Sequence, residues 1–390
     1  MRRFLRPISR RALLAALPLL PAAVALVGCE NYTDVAAARR RHAKGGKGNI
    51  VIGAVRQRDD QSGFVDGVEM AAAEINDGGG LLGRRVSLVV TDDAGGTDSS
   101  NANIRNLVEN DALVAVISCE STATAIASSV IYEFNDVLCL EVSSTNSRLT
   151  AHPFDLIFRT IPDDVYNSGE IADFMMGHGH TRPIIINDRS TYGRDMGILM
   201  RGALQQRGGE VTTERTYLSD ANSFWKDLDE IKGQDFDSVF LAGYPPAVAT
   251  FIKVMREIGI QVPIVGGDSL DSRLIWEVAG PAANGLVVPT VFNRDVDDPR
   301  VARFVEAFRA RRGVPPDTRA AKGYEALKLL ATVIGAAKVT DSRIVASIMR
   351  YRKGWTGPFS EMSFDRDGGI SGRTIYFQRL ENGVFGLVKE

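Results

Sequence analysis

The chain has 390 residues, of which 44% are hydrophobic, 24% charged and 7% aromatic; this suits one large or two medium α/β domains with an ample core and excludes a disordered chain. Its 46 lysines and arginines are balanced by 48 aspartates and glutamates, which excludes a generally basic protein that coats nucleic acid. With only four histidines and three cysteines, the chain has little to build a zinc cage or a histidine-driven active site.

Residues 1–28 have the layout of a secretory signal. Five arginines, at positions 2, 3, 6, 10 and 11, precede an acid-free apolar run over residues 12–28, which is short for a membrane-spanning helix and contains two prolines. The sequence Leu-Val-Gly-Cys that ends at Cys29 resembles a bacterial lipobox, whose cysteine is acylated and becomes the first mature residue. Residues 9–14 also resemble a twin-arginine signal, so the export route stays open, as does an uncleaved anchor. In each case we expect the body of the protein outside the cytoplasm, and we predict lipidation of Cys29 at the bacterial membrane.

The composition of residues 29–48 predicts a flexible tether between this anchor and the folded body. The segment is polar, with arginines at 39–41 and glycines at 45, 46 and 48. If glycine-like, the 19 residues at 30–48 would span roughly 24 Å on average. The basic run favours either an anionic membrane surface or a merely solvated linker.

From residue 49 onward, apolar strands alternate with amphipathic helices. In the first half we predict strands at 49–55, 85–91, 113–117, 137–142 and 156–159 and helices at 64–76, 98–110 and 125–135. The strand, helix and strand over residues 113–142 form one right-handed crossover unit of a parallel sheet.

The second half repeats the pattern and then changes. Helices are predicted at 165–177, 193–207, 224–231, 246–258 and 270–278, and strands at 183–186, 211–217, 237–242, 263–266 and 286–291. Three helices follow at 301–311, 319–337 and 341–350, with short strands at 361–364, 374–378 and 386–388. Two βα sets of similar size predict two similar lobes. The late helices must pack on one lobe, so the chain crosses between lobes more than once.

Ligands of parallel sheets lie outside the carboxyl ends of the strands, so the residues that follow each strand are the candidate site. In the first half these are Ser121, Thr122, Ser143 and Thr145. Ser121 or Thr122 is also a good N-cap for the helix that follows, which would bring hydroxyls and backbone N–H groups to one point suited to a carboxylate.

In the second half the strand ends supply Tyr192, Tyr244 and Asp268. The two sets together are complementary to a small zwitterion, with Asp268 as the partner of an ammonium group. The alternative is that these residues only cap helices and complete turns, as an aspartate after paired glycines often does.

The sequence gives less support to a metal, phosphate or catalytic site. Asp92 and Asp93 end a predicted strand, but no lysine or hydroxyl motif follows them, so we interpret them as turn and cap residues. The sequence contains no glycine-rich phosphate loop with its lysine and no convincing Ser/His/Asp set, so no metal, cofactor or enzyme activity is predicted. Cys119 and Cys139 belong to neighbouring strands, and either a disulfide or two buried thiols is possible in an exported protein.

Several stretches in this order resemble one family. They are GVEMAAAEINDGGGLLG at 67–83, LVVTDD at 88–93, residues 113–132, VSSTNSRLT at 142–150, FRTIP at 158–162, and residues 191–193, 240–244 and 265–268. The chain is similar to the type I periplasmic binding proteins of the leucine/isoleucine/valine-binding family, which feed ABC importers. The resemblance implies two Rossmann-like lobes with parallel sheets, joined by three crossovers and closing on a ligand. We assign residues 49–162 and 292–370 to the N-terminal lobe and residues 163–291 and 371–390 to the C-terminal lobe.

The resemblance also implies roles for the candidate residues. Thr122 would bind the carboxylate of an amino-acid-like ligand through its hydroxyl and backbone, and Ser143 and Thr145 would complete the contacts of this lobe. Tyr192 and Tyr244 would come from the second lobe, and Asp268 would take the ammonium group in place of the family's usual, longer acid. The expected partners are the permease subunits of an ABC importer, with the binding protein a monomer; a sensor subunit of the same fold is the alternative.

Two departures from the family pattern bear on specificity. The loop at 56–63 reads RQRDDQSG and is shorter and more charged than usual, and Glu120 stands where a small or apolar residue is usual. A polar or charged amino acid, or an amide such as urea, is therefore as credible a ligand as a branched aliphatic one. Alternatively, Arg56 and Arg58 pair with Asp59, Asp60 and Glu120.

Overall fold

A computed structural model describes residues 35–58, 62–217, 224 and 228–389. The predicted signal, the predicted lipidation residue Cys29, and Asp59 and Asp60 of the charged loop lie outside the described residues, as does part of the predicted helix at 224–231. Within the described ranges, every helix is too short or too polar to cross a bilayer.

The first sheet has five parallel strands in the order β2-β1-β3-β4-β5. These strands are β1 (Ile50–Arg56), β2 (Val86–Asp92), β3 (Leu113–Cys119), β4 (Leu138–Glu141) and β5 (Ile157–Arg159). The helices of this part are α1 (residues 35–45), α2 (Phe64–Asp77), α3 (Thr97–Val108) and α4 (Thr122–Phe134). Every residue of β3 is buried, as expected for a central strand covered on both faces. The predicted strands and helices of this half are confirmed, with ends shifted by a few residues.

The second sheet has seven strands in the order β15-β14-β10-β9-β8-β6-β7. Its strands β6 to β10 are Pro183–Asn187, Thr213–Thr216, Ser238–Ala242, Ile264–Gly266 and Val287–Thr290, and they pair in parallel. Its helices are α5 (Asp164–Gly177), α6 (Thr191–Gln206), α7 (Ala247–Glu257) and α8 (Leu274–Ala279). A three-stranded sheet contains β11 (Trp355–Thr356), β12 (Glu361–Phe364) and β13 (Ile370–Ser371). Strands β14 (Tyr376–Glu381) and β15 (Val384–Leu387) return to the second sheet and extend it antiparallel.

The predicted helix at 270–278 is wrong at its start. A single 3-10 turn occupies Asp268–Leu270, and α8 begins only at Leu274. Asp271 explains the delay, because its carboxylate accepts hydrogen bonds from the hydroxyls of Thr290 at 2.9 Å and Thr318 at 2.6 Å. These bonds hold the chain against the neighbouring segments and outside a helix.

Three late helices pack on the first sheet. They are α9 (Pro299–Arg312), α10 (Thr318–Ala337) and α11 (Ser342–Tyr351), and their buried side chains share one core with β1, β3 and α2. Helices α2 and α10 approach closely, since a Cβ added at Gly67 would lie 1.9 Å from the carbonyl oxygen of Ala320. The chain thus passes between the two sheets after β5, after β10 and before β14. The lobe boundaries given above stay a prediction.

Cys119 and Cys139 are both buried thiols. Cys119 belongs to the core between the first sheet and α2 and α10, whereas Cys139 packs with residues of α3 and α4. The two thiols therefore point to different faces of the sheet. Burial is the main cause that raises the pKa of Cys139 well above its ordinary value, so it is unreactive as a thiolate.

The predicted flexible tether is wrong in its described part, because residues 35–45 form helix α1 and Arg39 fastens this helix to the first sheet. Arg39 as a residue is only 4% exposed. It donates hydrogen bonds to the carbonyl oxygens of Leu113 at 2.8 Å, Val108 at 2.5 Å and Asn110 at 3.0 Å, and to that of Asn135. A planar guanidinium with five donors suits such a cluster of acceptors, and burial lowers its pKa to about 10, which still leaves it charged at neutral pH.

A second arginine holds the residues between α1 and β1. Arg84 donates to the carbonyl oxygens of Lys47 at 2.9 Å, Gly48 at 2.8 Å and Asn49 at 3.2 Å. The turn that this path requires uses Gly46 and Gly48, whose φ angles are +60° and +72°. The whole segment from residue 35 to β1 is therefore fastened to the first sheet at two points.

Replacing Arg39 by alanine should release α1. We expect a loss of about 1–3 kcal/mol in the free energy of unfolding and faster trypsin cleavage after Arg40, Arg41 and Lys44, because the helix loses its buried hydrogen bonds. Arg41→Ala is the matched control, since Arg41 is exposed, and the rates are compared at Arg40 and Lys44, the two of these sites that all three proteins share. Equal cleavage rates in the wild type and Arg39→Ala would show that α1 is not held in solution.

Candidate functional site

Four of the predicted site residues meet in a cleft between the carboxyl ends of the two sheets. The backbone N–H of Thr122, from the first sheet's side, points at the hydroxyl oxygen of Tyr244 from the second at 3.4 Å. The Tyr192 hydroxyl donates to Asp268 Oδ1 at 2.9 Å, and the two tyrosine rings lie 5.4 Å apart. All four residues are buried or nearly so. These residues lie up to 146 positions apart in the sequence, and the rule that ligands bind at strand ends predicted that they share one site.

Helix α4 presents its first turn to this cleft. Ser121 is the N-cap residue, as predicted, but its hydroxyl makes no capping bond within the described chain and instead contacts Thr124 Oγ1 at 2.8 Å. Because of this, the N–H groups of the first turn remain available to a ligand, together with the positive end of the helix dipole.

Ser143 and Thr145 follow β4 on the same side of the cleft. Ser143 lines a small cavity with Tyr192, Tyr244 and Asp268. Thr145 lines a second one beside Asp268. Each cavity has a volume of about 20 Å³, the space of about one water molecule. At these two points the cleft therefore has little free space in this structure.

Two buried carboxyl groups lie close together at one end of the cleft. Asp164, the first residue of α5, is fully buried, and neither of its carboxylate oxygens has a hydrogen bond in the part of the chain that the structure describes. Burial first, and then the negative charge of Asp268, raise the pKa of Asp164 to about 7. Burial also raises the pKa of Asp268, although Lys322, Tyr192 and Arg319 oppose the shift. A nearby cation would stabilise the ionised form of both carboxyl groups.

Lys322 brings a positive charge to the same part of the cleft. It lines both cavities, and its positive charge acts on Asp268 and Asp271. Within the described residues its ammonium group has neither a hydrogen bond nor an ion pair, whereas Asp271 is already satisfied by two hydroxyls. The cleft therefore contains an anion-binding group in addition to its acids.

Asp164, Asp271 and Lys322 were not among the site residues predicted from the sequence. Asp164 had a usable signal, because it follows the predicted strand at 156–159 as the other site residues follow theirs. Asp271 was assigned to a helix that does not form at that position. Lys322 is the fifth residue of α10 and reaches the cleft only through the packing of this late helix, which no local pattern reveals.

Glu120 lies inside the first lobe and not in the cleft. It is fully buried, and its oxygens accept hydrogen bonds from the hydroxyls of Ser100 at 2.9 Å, Ser128 at 2.9 Å and Ser118 at 3.0 Å. Burial raises its pKa. The departure from the family pattern at this position therefore gives no information on the ligand, and hydroxyls supply the contacts that the sequence analysis attributed to arginines.

Asp92 and Asp93 are turn residues, as predicted. Asp92 Oδ1 accepts from the backbone N–H of Ala94 at 2.8 Å. Asp93 Oδ1 accepts from the backbone N–H groups of Arg58 at 2.8 Å and Gly95 at 3.0 Å. Their oxygens are used to shape the loop after β2.

Two lobes built on parallel sheets, linked three times and enclosing a polar cleft, define a two-lobed solute-binding protein. The family model described as "Periplasmic binding protein" matches residues 56–384. The chain therefore belongs to the periplasmic binding protein family, as a type I member of its branched-chain amino acid group. It is a solute-binding protein and not an enzyme, and its place is outside the cytoplasm.

Relatives cover nearly the whole chain. The leucine-, isoleucine-, valine-, threonine- and alanine-binding protein of Pseudomonas aeruginosa is 26% identical over 352 residues, which are 90% of this chain and 91% of its own. The structure of an ABC transporter substrate-binding protein from Desulfitobacterium hafniense in complex with Leu is 28% identical, with a TM-score of 0.78 over 87% of this chain and 100% of its own. A solute-binding protein from R. palustris in complex with benzoate shares the fold at 19% identity, with a TM-score of 0.75 over 87% and 96%.

Proposed function

We propose that the protein is a lipid-anchored binding component of an ABC importer that captures an amino acid, or a closely similar molecule, between its lobes. The observation that carries this proposal is the pairing, in one cleft, of the helix N-terminus at Thr122 with two acids, the buried Asp164 and the partly buried Asp268. These are the two partners that an α-carboxylate and an α-ammonium need. The named relatives, which bind amino acids, support the same class of ligand.

The carboxylate would bind at the first turn of α4. Among the described residues, the Thr122 N–H group has only the long contact to the Tyr244 hydroxyl, which a carboxylate oxygen would replace with a shorter, charge-assisted bond. The hydroxyls of Thr122 and Ser143 would add donors from the same lobe. Tyr244 would then be free to donate to the ligand from the other lobe. Ser121 contributes its position at the N-cap and not its hydroxyl.

The ammonium group would bind between Asp164 and Asp268, with Thr145 beside them. Burial raises the pKa of both acids, and a cation placed between them would lower it again, so binding and ionisation support each other. Tyr192 orients Asp268 through its hydrogen bond at 2.9 Å. The ligand side chain would extend toward Lys322, whose ammonium favours a polar or acidic group over an aliphatic one.

Because the ligand would contact both lobes, its binding would stabilise the closed form of the protein. The cavities of about 20 Å³ cannot admit an amino acid, so entry requires an open form and the bound ligand shifts the population back. We expect the protein to act as a monomer and to pass its ligand to a permease in the membrane, anchored there through Cys29.

Thermal unfolding of a variant that lacks the first 29 residues tests the ligand class. The panel contains aliphatic, polar, acidic and basic amino acids, with small amides and urea. A ligand at 100 times its dissociation constant adds about 2.7 kcal/mol to the free energy of unfolding. Stabilisation by amino acids supports the proposal. A panel in which none stabilises the protein would overturn it.

Replacing Thr122 by valine should weaken binding of the best ligand by roughly 10- to 100-fold, because the hydroxyl's hydrogen bond to a charged group is lost while the volume is kept. Calorimetric titration measures the change. Thr332→Val is the matched control, because Thr332 is exposed on α10. An unchanged dissociation constant in Thr122→Val would place the carboxylate elsewhere.

A further inference from the structure

A cavity of about 180 Å³ lies between the two lobes, beside the segment that leads from β10 to α9. We call it the crossover cavity; its lining includes residues 271–274 and 383–385 from the second lobe, residues 315–319 from the first, and residues 292–294 of the connecting segment. Asp271 and Thr318 line this cavity and also both small cavities of the cleft. The crossover cavity is therefore a continuation of the cleft, with room for atoms that neither space of about 20 Å³ can hold.

A buried amide in the wall of the crossover cavity has a donor without a partner. Asn293 accepts from the backbone N–H of Asp295 through Oδ1 at 2.8 Å and donates from Nδ2 to Gln378 Oε1 at 2.9 Å. Because a backbone N–H can only donate, this order fixes the orientation of both amides and leaves Gln378 Nε2 over. Gln378 is 2% exposed, and its Nε2 has no hydrogen bond within the described residues. A buried N–H donor of this kind requires an acceptor, which a ligand can supply.

The charged residues that line the cavity are three arginines and two aspartates, Arg273, Arg294, Arg319, Asp271 and Asp317. Arg273 already pairs with Glu277 at 3.3 Å. Arg294 is half-buried, and in the part of the chain that the structure describes its guanidinium has neither a hydrogen bond nor an ion pair. A cation that is partly removed from water and lacks a partner favours an anion beside it.

Both acids of the cavity already accept hydrogen bonds. Asp317 is the N-cap residue of α10; its Oδ1 accepts from the backbone N–H of Ala320 at 2.8 Å, and its Oδ2 accepts from that of Gly63 at 2.9 Å. Asp271 accepts from the two hydroxyls described above. Burial raises the pKa of Asp271, and the nearby Gln378 amide opposes the shift without forming a hydrogen bond to it. The acids are thus compensated within the protein, in contrast to the guanidinium of Arg294.

We propose that the crossover cavity binds an anionic group at the end of the ligand's side chain, so that the solute is an acidic amino acid or a close analogue. This inference rests on the proposed function and names the substrate class of the same cleft. The Arg294 guanidinium supplies the positive charge, and the Gln378 amide supplies a directional donor. Together they suit a carboxylate, which accepts several hydrogen bonds at once.

Positive charges line the path from the ammonium site to the crossover cavity. A side chain that extends from Asp268 passes Lys322 and Arg319, which both line the small cavity beside Ser143. Arg319 lines the crossover cavity as well, where Arg294 follows. An aliphatic side chain would place apolar atoms against these charged groups, whereas a distal carboxylate would interact favourably with them.

Pairs of amino acids that differ only in the charge of the distal group test the subsite. Aspartate and asparagine, and glutamate and glutamine, are titrated calorimetrically into the full-length protein at neutral pH. At least one acid should bind about 10-fold or more tighter than its amide, because the distal carboxylate forms charge-assisted hydrogen bonds. Arg294→Gln should remove most of this preference and leave the affinity for the amide unchanged. Arg303→Gln is the matched control, since it removes the same charge from an exposed position of α9 outside the cavity.

A second variant tests the buried donor. Gln378→Met keeps a side chain of similar length but has no N–H group, so the preference for the acid should again decrease. Asn293 loses its acceptor in this variant, and thermal unfolding measures the resulting loss of stability separately. The ratio of the two affinities is the relevant result, because a general weakening of the fold affects the acid and its amide alike.

Equal affinities for acid and amide in the wild type overturn the anionic subsite and leave the proposed function intact. A preference that persists in Arg294→Gln also overturns it, because the anion then binds elsewhere. Inorganic phosphate is the remaining probe. If it stabilises the wild type but not Arg294→Gln, while acid and amide bind equally, the cavity takes a free anion and the ligand-borne group is refuted. If no amino acid binds at all, the proposed function fails together with this inference.

Discussion

Asp268→Asn should weaken binding of the best amino-acid ligand by at least about 30-fold. The side chain is buried at one end of the cleft, and removing one partner of a buried, hydrogen-bonded charge pair costs 2–5 kcal/mol or more. Asparagine keeps an oxygen that accepts the hydrogen bond from Tyr192, so the closed cleft retains its shape. Titration calorimetry at neutral pH measures the loss directly.

Two companion variants make the result specific. Asp295→Asn changes an exposed carboxylate outside the cleft and should leave affinity unchanged. Asp164→Asn removes the second buried acid and should also weaken binding. If Asp268→Asn binds normally while Asp164→Asn does not, the ammonium group binds at Asp164 alone. If both bind normally, the ligand has no cation in this part of the cleft.

The strand ends were predictable because they follow a local rule. An apolar run that ends in Ser, Thr or Asp places those side chains at the carboxyl edge of a parallel sheet, wherever the strand lies in the chain. Thr122, Ser143, Tyr244 and Asp268 were found in this way. Ser121 occupies the predicted N-cap position, and the sequence pattern alone does not reveal that its hydroxyl contacts Thr124.

Contacts made by distant segments were not predictable. Arg39 bonds to carbonyl oxygens 69 to 96 positions away, and any residue type can supply a carbonyl, so a polar, glycine-containing stretch was interpreted as a tether. Lys322 reaches the cleft because α10 packs against α2. In both cases tertiary packing, and not local propensity, determines what the side chain does.

A charged residue inside a predicted strand is a further case in which the sequence pattern says little. Glu141 ends β4 and is 1% exposed. Its Oε1 accepts hydrogen bonds from the backbone N–H groups of Ser143 at 2.7 Å and Ser144 at 2.8 Å. The carboxyl group thereby shapes the turn that presents Ser143 to the cleft, which is a structural role for an acid next to the site.

Stability should fall as pH rises, and Glu141 should be a main cause. Burial raises the pKa of Glu141 from its ordinary value of 4.5 to about 8 in the folded protein. Between these two pH values the folded state holds a proton that the unfolded state releases. The free energy of unfolding is therefore greatest below pH 4.5 with respect to this group, declines toward pH 8 and is level above it. At about 1.4 kcal/mol per pH unit, the decline is roughly 3–5 kcal/mol.

Glu141→Gln should flatten this dependence and stabilise the protein at pH 8 by up to several kcal/mol. Glutamine is never charged, and its oxygen can still accept from Ser143 and Ser144. Asp164, whose pKa burial raises to about 7, and Glu120, whose pKa burial also raises, should leave a residual slope of the same sign. Urea unfolding from pH 5 to pH 9 measures the dependence, and Glu361→Gln, at an exposed position of β12, is the control. Parallel curves for the wild type and Glu141→Gln would mean that Glu141 is ionised throughout this range and that its two backbone hydrogen bonds outweigh its burial.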